Sequence, residues 1–193
     1  AVMPLSDATA LFFIAPVVIT MFSVIFLGEK VGKFRWSAAA IGLIGAGIML
    51  RPTSASFQPV AILPLLAAVC YAGIHMLSRR MGGTESASTL SVYIQAVFLV
   101  VGLFMGLTFG DGRFAPGDGR SLDFLLRAWV MPPPSDYPVL LIIGLSSAIG
   151  GYCVSQAYRV CEAAVIAPFE YTALVMSFVW GFTIFGSWPD YVA

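Results

Sequence analysis

Glu170 is a carboxyl group in a stretch that is otherwise almost wholly apolar. The sequence from Glu162 to Gly186 reads EAAVIAPFEYTALVMSFVWGFTIFG. That is long enough to cross a hydrocarbon core of ~30 Å at ~1.5 Å per residue. A carboxylate there costs roughly 2–4 kcal/mol unless it faces a bundle interior or a wet cavity. The chemistry on offer is binding and releasing a proton, or pairing with an amine-bearing solute. No Lys or Arg lies within two turns on the same segment, so partners must come from other helices. Tyr171 is adjacent in sequence but about 100° round the helix, which makes it a poor direct partner. The polar tips available elsewhere are Tyr71, Gln95, Ser147, Tyr152 and Gln156. His75 is the chain's single histidine. Two readings of it stay open: a hydrogen-bonded packing or interfacial histidine, or a solute or proton contact on the cavity wall. Gln95, an uncharged amide, reads either as a cross-helix hydrogen bond or as a ligand contact. The candidate solute- or proton-binding set is therefore Glu170, His75, Gln95, Tyr71, Tyr152 and Gln156.

These residues must be held by membrane-spanning helices. Hydrophobic residues make up 59% of the chain and charged residues 10%, against about 25% charged in soluble domains. No soluble fold of 193 residues has enough interior for that much apolar side chain, so lipid must be the solvent for several segments. Net charge is zero, which argues against a nucleic-acid partner. Cys70, Cys153 and Cys161 lack metal-ligand spacing and read as small packing residues. No metal, cofactor or catalytic group is expected.

Six apolar spans follow from the hydropathy pattern: Ala8 to Gly28, Trp36 to Leu50, Val60 to Ser78, Ser88 to Phe109, Pro138 to Tyr158, and Glu162 to Gly186. The predicted fold is all-α, a membrane bundle of about six helices. Pro16 and Pro168 are candidate hinges, because proline frees a backbone carbonyl that protein or water must satisfy. Gly42, with Ala38 and Ala46, and Gly151, with Ser147 and Ser155, are candidate close-packing positions. On the last span, Ala163, Ala167, Glu170, Ala173, Ser177 and Gly181 fall on one helical face, expected to turn inward. The segment Gly110 to Tyr137 is polar, and Ser121 to Val130 within it predicts a short surface helix with Trp129 on its apolar side. The loops after the first, third and fifth spans carry Lys30, Lys33, Arg35, Arg79, Arg80 and Arg159. By the positive-inside rule they lie together on the cytoplasmic side.

A loose internal repeat runs through the first and last spans. Asp7-Ala8-Thr9, Ala15-Pro16 and Phe26-Leu27-Gly28-Glu29 parallel Glu162-Ala163-Ala164, Ala167-Pro168 and Ile184-Phe185-Gly186-Ser187. The copies are five crossings apart, an odd offset that inverts the second, as in many secondary transporters. With SDATALFFIAPVVITMFSVIFLGEKVG and GLIGAGIMLRP, these stretches resemble the EamA family of the drug/metabolite transporter superfamily. The resemblance implies ten helices in two inverted five-helix repeats. The spans here would then be the fourth through ninth, with residues 1–51 ending the first repeat and 59–193 forming most of the second. Missing helices of a longer protein, or a second copy, would cover the open faces, and the six spans alone are expected not to transport. The second repeat departs from the family at Ser187, where an acid usually stands, which points to structure rather than chemistry at Glu29. The implied function is a multi-pass plasma-membrane transporter of a small metabolite or drug-like solute, working by alternating access in the lipid bilayer. A membrane-embedded enzyme and a scaffold subunit remain as alternatives.

Overall fold

The computed structural model describes residues 5–50, 61–114 and 126–185. Among the described residues there are helices and no strand. The helices are α1 (Leu5–Phe12), α2 (Ala15–Leu27), α3 (Lys33–Leu50), α4 (Ile62–Met81), α5 (Ala87–Phe109), α6 (Tyr137–Val160), α7 (Ala163–Ile166) and α8 (Thr172–Phe185). A five-residue 3-10 turn, Ala167–Tyr171, joins α7 to α8. Each predicted span is thus met by helix, and two are interrupted. Among the described residues, four segments are long and apolar enough to cross a membrane: Ala8–Leu27, Ile62–Met81, Ala87–Phe109 and Pro134–Val160. The chain is an all-helical, multi-pass membrane protein.

It divides into two compact units. The larger joins residues 3–83 to 157–193, and so brings α1–α4 together with α7, α8 and the last turn of α6. Its core is Val18, Ile19, Ala72, Met76, Tyr158, Ala163 and Ala167. The alanines matter most here. Lipid is as apolar as leucine, so membrane helices gain by close backbone approach at small residues, not by burying bulk. Ala68, Ala72, Ala163, Ala164 and Ala167 are all fully buried. Gly42 serves the same end, because the ring of Tyr171 occupies the space a Cβ would need. α2 ends on Gly28 in the left-handed conformation (φ 66°), a backbone state that glycine adopts without penalty.

The smaller unit is built from α5 and the body of α6. Ser86 caps α5 by accepting the Thr89 N–H at 3.1 Å. Apart from Ala87, Leu90 and Ser91, most of α5 is exposed, as are Leu140 to Ile149 on α6. In a bilayer these are surfaces for lipid or for further helices.

Two expectations need correction. In the polar segment, residues 121–125 lie outside the described residues and Leu126 is helical, but Ala128 to Pro133 carry no helix, so the expected surface helix does not reach Trp129. Trp129 instead gives its N–H to Gly110 O at 2.8 Å and lays its ring where a side chain on Gly106 would stand. The inward stripe of the last span holds only in its first half. Ala163 and Ala167 are buried, whereas Ala173 and Ser177 are exposed. The 3-10 turn has about 3.0 residues per turn instead of 3.6, so it breaks the helical phase between the two halves.

Candidate functional site

The site is organised by two helix breaks, both at an Ala-Pro pair. In the first span, α1 stops at Phe12 and α2 restarts at Ala15. Pro16 has no N–H to give Phe12 O, and Val17 turns its N–H to Ile14 O at 3.0 Å. Phe13 O is thereby released, and Tyr171 Oη donates to it at 3.1 Å. The Phe13 and Tyr171 rings stack with centroids 6.0 Å apart. The helix break falls beside Pro16, and the freed carbonyl is satisfied by protein.

In the last span, Pro168 interrupts the ladder and the chain tightens into the 3-10 turn. That turn presents Glu170 toward α4 and the end of α6. Glu170 Oε1 accepts a short hydrogen bond from Tyr158 Oη. A longer, weaker one at 3.4 Å comes from Tyr71 Oη. The carboxyl is partly buried and Tyr158 wholly so. Two phenol donors on one carboxylate oxygen offset part of the cost of holding the group in a low dielectric.

His75 lies one turn beyond Tyr71 on α4 and is 5% exposed. Its ring stacks on Tyr158 (centroids 4.1 Å, 23°) and meets Tyr71 edge-on (4.2 Å, 80°). Neither imidazole nitrogen has a hydrogen-bond partner among the described residues. This corrects the packing reading in one respect: His75 packs, but its polar atoms are unsatisfied. Such a group is rare in a folded interior.

Of the predicted site residues, the structure brings together Glu170, Tyr71 and His75. Pro16 and Pro168 sit at the breaks, and Gly42 lies against Tyr171. The other candidates belong to the smaller unit. There Gln95 Nε2 donates to Ser147 Oγ at 3.3 Å, the cross-helix bond expected of it. Ser88, Ser91, Gln95, Leu99 and Tyr152 border an open hollow of about 510 Å³ between α5 and α6. A Cβ on Gly151 would make ordinary contact with Ser91 Oγ at 3.5 Å, so this glycine is less demanding than Gly42. Gln156 is half-buried one turn beyond Tyr152.

The residue that sequence reasoning missed at this site is Tyr158. At the end of a span and beside Arg159, it reads only as a further polar tip. The available signal was the need for a donor to Glu170, but twelve residues of sequence and a turn separate the two.

Residues 2–51 match the EamA-like transporter family. A riboflavin transporter of Rhizobium johnstonii is 29% identical, over 98% of this chain and 57% of its own length. A riboflavin transporter of Vibrio cholerae is 28% identical, over 96% of this chain and 56% of its own. An S-adenosylmethionine uptake transporter of Rickettsia prowazekii is 25% identical, over 97% of this chain and 57% of its own. The chain thus spans little more than half the length of these relatives. No solved structure matches. The family match is thus confined to the first segment, while these transporter relatives align along nearly all of the chain.

Proposed function

We propose that this chain forms part of a secondary transporter that carries a small, heteroatom-rich metabolite across the bacterial inner membrane by alternating access. Its named relatives carry riboflavin or S-adenosylmethionine, and the cargo here belongs to that class of polar, ring-bearing solutes. One observation carries the reading: an apolar helical segment broken at Pro168 sets a carboxyl between two tyrosine hydroxyls, beside an imidazole whose nitrogens have no partner among the described residues. Broken spans with charged groups at mid-membrane are where transporters bind solutes and coupling ions. Glu170 takes the proton or the cationic group of the solute, with Tyr71, Tyr158 and His75 around it. Gln95, Tyr152 and Gln156 are separate, uncharged solute-contact candidates within the smaller unit. Residues 1–51 close one inverted repeat and 59–193 form most of the other. The loops bearing Lys30, Lys33, Arg79 and Arg80 face the cytoplasm.

The test is flux of riboflavin and of S-adenosylmethionine in liposomes holding the full-length protein, with and without a pH gradient. Glu170→Gln keeps the shape and one hydrogen-bonding oxygen but cannot titrate. Losing a hydrogen bond to a charged group, worth about 1.5–3 kcal/mol, lowers flux by roughly tenfold to a hundredfold. Unchanged flux with unchanged pH dependence in the Gln variant makes Glu170 a packing residue.

A further inference from the structure

Glu29 stands outside the transport reading above, yet its carboxylate meets two backbone N–H groups and an arginine of the larger unit. It follows the Gly28 turn that ends α2, and its side chain is 8% exposed. Oε1 accepts the Ala163 N–H at 3.1 Å and Oε2 the Ala164 N–H at 3.2 Å. These are the first two residues of α7, so Glu29 holds the start of the span that bears Glu170. Arg79 Nε lies 3.5 Å from the same Oε1. Arg79 Nη1 also donates to Arg159 O at 3.0 Å, next to Tyr158. Gly82 allows this approach, since a Cβ there would come within 2.9 Å of Arg159 O. Outside this knot, Arg35 and Glu162 form a second, half-exposed ion pair.

The placement has a mechanical consequence. Tyr71, His75 and Arg79 are spaced four residues apart on α4, so they share one face. Arg79 is thus rigidly linked to Tyr71, touches the residue after Tyr158, and reaches the group that holds α7. It ties the two tyrosines that grip Glu170 to the span that carries Glu170. In the internal repeat the counterpart of Glu29 is Ser187, which has no charge. Only the Glu29 copy of the motif supplies a carboxylate.

We infer that Glu29 and Arg79 form an ionic gate at the end of the larger unit where these loops meet. The gate rests on the transporter reading for its purpose. Closed, it seals that end and keeps Tyr71 and Tyr158 on Glu170. Open, it releases α7 from Glu29 and draws the tyrosines off the carboxyl, so that access from this end and occupancy of Glu170 change together.

The test uses full-length protein in membrane vesicles, with its cysteines replaced and one reporter introduced, Ser78→Cys. Ser78 is 4% exposed and adjoins Arg79. A charged, membrane-impermeant thiol reagent then reads the opening rate. Labelling is slow in the otherwise unaltered protein and about tenfold faster or more in Glu29→Gln and Arg79→Gln, because each strands a largely buried partner. In the unaltered gate, labelling accelerates as salt rises from about 0.1 M to 1 M, since ions screen the pair. Salt has no such effect once Glu29→Gln is present. Glu162→Arg accelerates labelling and Arg35→Glu added to it slows labelling again. Equal labelling rates in the Gln variants, or salt-independent labelling of the unaltered gate, overturn the inference. The labelling needs no transport, so a protein that labels as expected yet moves no solute refutes the transporter reading alone.

Discussion

The two Ala-Pro breaks begin from the same dipeptide and end as different devices. At Ala15-Pro16 the chain restarts at once as α-helix, and the residues that follow, Val17, Val18 and Ile19, turn into the core or beside it. At Ala167-Pro168 it continues as 3-10 helix, and the residues that follow are Phe169, Glu170 and Tyr171. Both carry a threonine four positions after the proline. Thr20 Oγ1 bonds back to Pro16 O, four residues earlier, at 2.8 Å. Thr172 Oγ1 bonds back to Phe169 O, three residues earlier, at 2.6 Å. The first break closes its own hydrogen-bond account with Tyr171 and Thr20 and presents no ionisable group. The second holds a carboxyl whose partners come from other helices. A break in a membrane helix becomes a candidate site only when the residues beside it need partners that the helix cannot supply.

The comparison breaks first if the two positions are interchangeable. Val18 stands two residues after Pro16, as Glu170 does after Pro168, and it lies in the apolar cluster with Ala72 and Met76. Val18→Glu should lower stability by about 3–5 kcal/mol, the cost of an unpartnered buried charge. Yield of folded full-length protein and its unfolding temperature in detergent check this. A Glu tolerated there would mean that the two breaks offer the same surroundings.

Gly42→Ala comes next, because the Tyr171 ring occupies the place of the new methyl. Overpacking of that kind costs about 1–3 kcal/mol. Gly151→Ala serves as the contrast, with an expected change within about 0.5 kcal/mol. Equal unfolding temperatures for the two variants would refute the packing argument.

Tyr171→Phe keeps the ring against Gly42 and Phe13 but strips the donor from Phe13 O. The loss expected is about 1 kcal/mol, with faster amide hydrogen exchange around Ile14 as the local sign. Protection there that matches the wild-type protein would show that the carbonyl has another partner. The smallest effect is that of Thr20→Val, about 0.6 kcal/mol, the usual size of a hydroxyl contact between groups inside a membrane bundle. A larger loss than that of Tyr171→Phe would reverse the order of importance at the first break.

Composition and periodicity alone determined that the chain crosses a membrane as helices, where the six apolar segments lie within a few residues, and that prolines 16 and 168 interrupt two of them. Those properties depend on apolar length and on a missing N–H, which are local. The sequence also singled out Glu170, because a carboxyl in an apolar run is anomalous whatever surrounds it. The tertiary structure decided who answers it. Tyr158 reaches Glu170 because the turn after α6 folds the last span back beside it, and no spacing rule encodes that. Tyr171, a poor direct partner for Glu170 by its position round the helix, serves the other break, 158 positions earlier in the chain. The small stripe on the last span failed beyond Tyr171, since a 3-10 turn shifts the phase on which a helical-face argument depends. Glu29 looked structural from the repeat, but only the folded chain shows which N–H groups and which arginine it holds. Hydropathy and proline act through neighbours in sequence, whereas a buried carboxylate is governed by donors within about 3 Å, and those are set by how the helices pack.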